Sequence, residues 1–211
     1  MLILFIFSLF LLHSCSTSPR SGPNLIVMPQ QEAVYSGAPQ PIIARSRPEL
    51  PLVITYYNVL SPGSGSSEAP TMPGIYTVEV NFAPQTGFDN MRVVEYQIHR
   101  APVTIIADEQ QSASYDGNPK RVLAASEPEL PLSYSYYPNP ELLRAAVYTF
   151  NNPSEARQAS LNAALRRFTR VERAPREQGL YYVLVFFPGN DRYEAAFRTV
   201  EFTIGPPVWR N

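Results

Sequence analysis

The 211-residue chain holds one cysteine (Cys15), two histidines, one tryptophan and, among 17 basic residues, a single lysine, Lys120. One cysteine excludes a disulfide framework within the chain and every thiolate-rich metal centre, and two histidines make His-based zinc chemistry improbable. An excess of positive charge is also missing, since 17 basic and 18 acidic side chains leave a net charge of −1. Nucleic-acid binding rests on clustered cations that neutralise phosphates, so this balance argues against a nucleic-acid partner. Neither a phosphate-cradling Gly-rich loop nor a Walker-type lysine occurs. The apolar run at residues 1–12, broken only by Ser8, falls short of the roughly 20 residues that span a bilayer. What abounds is proline, at 22, with 13 tyrosines and 11 phenylalanines, a composition of strands and turns and not of helix bundles.

A run of this length suits the h-region of a signal peptide, expected over residues 1–14. Leu12-His13-Ser14-Cys15 follows at once and resembles the lipobox of bacterial lipoproteins, in which the cysteine is acylated and becomes the first residue after cleavage. His13 stands where a small or β-branched residue is usual, and no Lys or Arg precedes the run. Either a start codon lies upstream, or this is a loose lipobox of the spirochaetal type; an ordinary cleaved signal peptide with an incidental Cys15 is the competing reading. Residues 15–23 are small, polar and Pro/Gly-containing, which is the composition of a tether. The resemblance implies a protein held at the membrane by lipid on Cys15, and Ser16, in place of a retaining Asp, implies the outer membrane or cell surface of the bacterial envelope.

The rest of the chain is an internal repeat. Set against itself, the sequence aligns Asn24 to Tyr57 with Thr104 to Tyr137, and 16 of 34 positions are identical, among them Tyr35, Gly37, Pro39, Pro48-Glu49-Leu50-Pro51-Leu52 and Tyr56-Tyr57. Beyond that the offset grows from 80 to 105: Ala69, Pro70, Gly74, Tyr76, Val78, Val80 and Phe82 fall on Ala174, Pro175, Gly179, Tyr181, Val183, Val185 and Phe187. The second copy therefore holds an insert between Tyr137 and Ala174. Tyr76 to Phe82, Val94 to Ile98 and Val200 to Ile204 alternate apolar and polar as half-buried strands do. With prolines at strand borders and no βαβ pattern, the expectation is a mainly β chain of two tandem small antiparallel β-sandwiches, module 1 over 24–101 and module 2 over 102–205, with a tail over 206–211. The junction Ile98–Val103 is short and Pro102 stiffens it.

The insert, about 138–173, reads as helical. Residues 140–147 suit a short helix. Asn152 and Pro153 then suit the start of a second, over 153–169, with an apolar stripe at Leu161, Ala164, Leu165, Phe168 and Val171. That stripe needs a surface. Where module 1 has Thr77, Glu79 and Asn81 on the outward parity of its strand, module 2 has Tyr182, Leu184 and Phe186. The expectation is that the helix over 153–169 packs on the outer face of the strand 180–187.

The pattern of Tyr-x-Gly-x-Pro, a Tyr-Tyr strand, Ala-Pro-x-x-x-Gly-x-Tyr-x-Val-x-Val and a closing alternating strand resembles the tandem MBG and Ig-like modules of bacterial surface proteins. The resemblance covers both modules apart from the insert. It implies an Ig-like fold, with a β-grasp arrangement as the competitor, and a cell-envelope or adhesion role without catalysis.

Residue patterns for chemistry are sparse. His99 sits at the junction between Ile98 and Arg100 with no spaced nucleophile or acid. Asp108-Glu109 and Glu127/Glu129 are carboxylate pairs, but module 1 has Met28-Pro29 and Arg47/Glu49 in their places. Asp89-Asn90 and Asn190-Asp191 suit turns better than a calcium site. No metal or cofactor is expected. Two features suit binding. Residues 138–176 carry seven arginines and three acids, a charge of +4 that leaves −5 on the remainder. Arg166, Arg167, Arg170, Arg173 and Arg176 crowd the helix end and its exit, either as solvated cations at a helix C-terminus or as an anion-recognising patch. Tyr57 and Tyr137 alternate to the face opposite Tyr56 and Tyr136, where an exposed ring would suit a protein or glycan ligand. The expectation is a membrane-anchored, non-catalytic adhesion or partner-binding protein, with a scaffold lipoprotein facing the periplasm as the alternative.

Overall fold

A computed structural model of the chain describes residues 22–61, 63–152 and 173–206. The expected signal peptide, Cys15, most of the tether, the helix expected over 153–169 and residues 207–211 of the tail lie outside the described residues.

Six strands form the first half: β1 (Asn24–Val27), β2 (Gln30–Val34), β3 (Ala44–Arg47), β4 (Leu52–Asn58), β5 (Gly74–Phe82) and β6 (Met91–His99). β1 and β3 make a two-stranded antiparallel sheet, while β2, β6, β5 and β4, in that order, make a four-stranded one. The second half repeats the plan with β7 (Thr104–Ile106), β8 (Gln110–Ser114), β9 (Ala125–Glu127), β10 (Ser133–Tyr137), β11 (Gly179–Phe187) and β12 (Ala196–Gly205). There β7 pairs with β9, and β10, β11, β12 and β8 form the larger sheet. In each half the opening segment splits between the two sheets, and its second part runs alongside the last strand. That arrangement is an Ig-like β-sandwich. These strands pair antiparallel apart from β2 with β6 and β8 with β12, which are parallel. Each large core lies between two sheets, which removes the β-grasp alternative, a helix on a single sheet. Among the described residues, β4 leads to β5 without a further strand, so the smaller sheet keeps two strands where larger Ig-like sandwiches have four.

Period-2 alternation fills each core. Tyr76, Val78, Val80 and Phe82 of β5 and Val94, Tyr96 and Ile98 of β6 point inward and are buried, as are Val183, Val185 and Phe187 of β11 and Val200, Phe202 and Ile204 of β12. Each such side chain contributes about 1.5–3 kcal/mol relative to staying in water.

Several identities between the repeats are polar residues, and their hydrogen bonds explain them. The Gln31 amide on β2 accepts from Ile43 N–H at 2.8 Å and donates to its carbonyl at 3.0 Å; Gln111 does the same to Leu123, at 2.8 and 2.8 Å. Each glutamine thereby ties the larger sheet to the segment entering the smaller one. Ser46 Oγ accepts from Leu50 N–H at 2.7 Å and donates to Leu50 O at 3.1 Å, and Ser126 repeats this with Leu130 at 2.9 and 3.2 Å. The inward hydroxyls of Tyr56 and Tyr136 accept from Ile42 N–H (3.2 Å) and Val122 N–H (3.5 Å). Such bonds contribute about 1 kcal/mol each when made and leave buried backbone groups orphaned when removed. The glycine of Tyr-x-Gly-x-Pro has φ +81° at Gly37 and +80° at Gly117, a left-handed turn that other residues enter at a cost.

The halves meet at Ala101. Its N–H donates to Arg192 O and its carbonyl accepts from Glu194 N–H, both at 2.9 Å, while Tyr35 and Tyr193 stack edge to face with centroids 5.6 Å apart. Asn190 shapes that turn, its side-chain oxygen accepting from Arg192 and Tyr193 N–H, both at 2.9 Å.

Candidate interaction site

The insert begins where β10 ends. Asn139 takes an extended backbone and its side-chain oxygen accepts from Glu141 N–H at 2.7 Å, Pro140 occupies the first helical position and Glu141 the first turn, so the chain enters a helix, α1 (Pro140–Asn151). Leu142, Leu143, Ala146, Val147 and Phe150 recur at helical spacing and form one apolar stripe. The stripe lies on the outer face of the larger sheet, against Tyr137, Tyr182, Leu184, Phe186 and Phe197. Ala146 is the buried residue of the helix, and Phe150 meets Phe186 and Phe197 edge-on at 6.1 and 5.1 Å. Among the described residues, the cover over Tyr137, Tyr182, Leu184 and Phe186 comes from residues 140–151, while the helix expected over 153–169 lies outside the described residues. Asn152 closes α1: its N–H donates to Thr149 O at 3.2 Å and its side chain to Tyr148 O at 2.8 Å.

Beside α1 a cleft of about 570 Å³ opens over the β12 and β8 side of the same face. It is lined by the apolar or aromatic side chains of Leu143, Tyr182 and Phe197 together with Glu109, Gln110, Arg198, Thr199 and Glu201. Arg198 is held in place, donating from Nε to Ala107 O at 2.8 Å with its terminal nitrogen 3.5 Å from Glu109 Oε1. A lining that mixes apolar side chains with a held guanidinium and carboxylates suits an amphipathic partner. On the corresponding face of the first half, Thr77, Glu79 and Asn81 are covered by no helix among the described residues.

The residues expected to bind a partner are dispersed. Arg166, Arg167 and Arg170 lie outside the described residues. Arg173 is exposed on the approach to β11. Tyr57 is half-buried on the outer face, and its hydroxyl donates to Glu79 Oε2 at 3.2 Å; that bond, with some burial, raises its pKa above 10.0. Tyr137 is a correction. It is 3% exposed, packed with Ala146 and Leu184, because the helix its own strand leads into folds back over it. It is part of the packing under α1 and not a ligand-stacking ring. The cleft residues Leu143, Phe197 and Arg198 escaped the sequence reading, although Phe197 carried a signal: it is an aromatic on the outward parity of a strand whose inward positions are Val200, Phe202 and Ile204.

A second concavity, about 620 Å³, lies at the junction and is lined by Leu60, Ile75, His99, Arg100, Asp191 and Glu194, among others. His99 Nε2 is 3.3 Å from Glu32 Oε2, and both side chains are largely open to solvent. Glu127 and Glu129 are exposed. Among the described residues no three of His, Cys, Asp and Glu gather as metal ligands, and no helix is long and apolar enough to cross a membrane.

The strand plan defines the chain as two tandem Ig-like sandwiches. No protein-family model matches it, and no curated protein matches it. Solved structures similar to the chain include the titin domains Z1Z2 in complex with telethonin (13% identity over 88% of this chain and 98% of that one, TM-score 0.36). Two others are Dscam1 isoform 7.44, N-terminal four Ig domains (14%, 87% and 46%, TM-score 0.32), and Dpr11 IG1 bound to DIP-gamma IG+IG2 (12%, 87% and 99%, TM-score 0.30). The Ig-like assignment rests on the strand pairing itself.

Proposed function

We propose that this chain is a lipid-anchored protein of the bacterial cell envelope that binds a protein or glycan partner without catalysis, through the helix-bearing outer face of its second sandwich. The observation that carries the reading is the asymmetry between two otherwise matching sandwiches: one has α1 and an adjoining cleft on the face where the other has half-buried polar strand residues that no described helix covers. Acylation of Cys15 and the tether after it would hold the first sandwich nearest the membrane and the second outward. Metabolic labelling with a palmitate analogue tests the anchor, with label expected on the wild-type chain and absent from Cys15→Ala. A photo-crosslinking residue at Leu143, compared with one at Glu79, tests the binding face. Adducts in intact cells from position 143 and not from 79 are expected, and equal yields from both overturn the assignment. Protease shaving of intact cells distinguishes surface display, in which the protein is lost, from a periplasmic scaffold, in which it survives.

A further inference from the structure

The two halves keep the same outward positions on their two-stranded sheets, yet the chemistry of those positions is divided between them. On the β1/β3 sheet Leu25 and Ala44 face inward, while Ile26, Met28 and Ile43 are 49%, 62% and 67% exposed beside the exposed Arg45 and Arg47. On the β7/β9 sheet the matching Ile106 and Leu123 are again apolar and 50% and 79% exposed. These two positions stay apolar and open in both copies although more than half of the aligned positions have diverged. The charges around them differ in balance: Arg45 and Arg47 on one face, Asp108 and Glu127 on the other with a single exposed cation, Arg121, where the first half has Pro41. Met28 is replaced by Asp108, Arg45 by Ala125 and Arg47 by Glu127, and none of Arg45, Arg47, Asp108 and Glu127 forms an ion pair among the described residues.

We infer that the outer face of the β1/β3 sheet docks on the outer face of the β7/β9 sheet of a second copy of this chain. Both faces are open in the single chain, so neither covers the other within it. The opposite pairing, like face on like face, sets arginine against arginine or carboxylate against carboxylate and is disfavoured. A two-fold axis makes the contact twice in each dimer, which brings the small area of a two-stranded face nearer the roughly 800 Å² per partner of a specific interface. The contact involves neither α1 nor the lipid anchor, so it stands apart from the proposed function.

The test uses the full chain in detergent, with Cys15→Ser so that each molecule carries one introduced thiol. One tagged form carries Ile26→Cys and a differently tagged form carries Leu123→Cys; the two are mixed and oxidised. The disulfide-linked heterodimer is expected to dominate both homodimers. Adding Arg45→Glu and Arg47→Glu to the Ile26→Cys chain should lower the heterodimer yield about tenfold. Adding Asp108→Arg and Glu127→Arg to its partner should restore it, which also shows that the altered chains fold. A heterodimer no more abundant than the homodimers, or a yield indifferent to charge reversal, overturns the inference.

Discussion

Leu184 of β11 and Glu79 of β5 occupy the same outward position in the two repeats, and their exchange separates the packing of α1 from the packing of the sandwich. Leu184 is 5% exposed and forms a small cluster with Tyr137 and Ala146, distinct from the inward cluster of Val183 and Val185 on the other side of the same strand. Leu184→Glu removes a buried aliphatic side chain, worth about 2–4 kcal/mol here because this cluster is thin and open to relaxation. It also places an unpaired carboxylate beneath the helix, which α1 avoids by lifting off. A helix of 12 residues is marginal once detached, so its amides should exchange freely. Hydrogen exchange read by mass spectrometry should therefore show peptides from 140–151 exchanging roughly 30- to 700-fold faster, the factor that about 2–4 kcal/mol gives. Peptides from β12 should keep their protection. The reverse change, Glu79→Leu, lies on a half-buried face that no described helix covers; it removes the acceptor of the Tyr57 hydroxyl and should cost about 1 kcal/mol in the sandwich without touching α1. Unchanged exchange in α1, or equal loss of protection in α1 and β12, would refute the separation of the two clusters.

Ser126→Ala should cost about 1–3 kcal/mol in urea unfolding, because it strands the Leu130 N–H, and more than Ser46→Ala, whose serine is less buried. Gly117→Ala should cost about 1 kcal/mol by the same measurement, since φ is +80° and no atom stands within 4 Å of the added methyl to add a clash. Burial raises the pKa of Tyr76, Tyr96, Tyr136 and Tyr181 above 10.0, which makes the folded chain favour the neutral phenols. The stability they contribute is thus complete below pH 10 and is lost as pH rises from there through their folded values; a pH titration of urea midpoints should fall on the alkaline side and stay level between pH 8 and 9. Asp116 has the opposite sign, its pKa lowered first by Lys120 and then by Asn118 N–H, so its share is lost only as pH falls below 3.8, and Lys120→Met should remove most of that dependence.

Much of the sandwich was legible because its signals are local and repeated. Alternation in Tyr76 to Phe82 and Val94 to Ile98 marks which side of each strand is buried, and the repeat alignment pairs Gln31 with Gln111 and Ser46 with Ser126, the polar side chains that fasten loop to sheet. The parallel pairing of β2 with β6 was not legible. It depends on the chain crossing from one sheet to the other at Met28-Pro29, and alternation has the same period in parallel and antiparallel strands.

The candidate site was less legible for a related reason: the face a residue points to is local information, but what covers that face is not. Tyr57 and Tyr137 have the same parity and the same residue type, and β4 and β10 pair with β5 and β11 in the same register, Tyr57 opposite Thr77 and Tyr137 opposite Tyr182. One ring reaches a carboxylate at a half-buried surface, while the other is sealed under a helix. The difference comes from residues 140–151, which Pro140 and Asn139 start only two positions after Tyr137. An Ig-like sheet face is thus neutral ground, and a 12-residue helix inserted at its edge decides whether its tyrosine stays at the surface or is sealed into the packing.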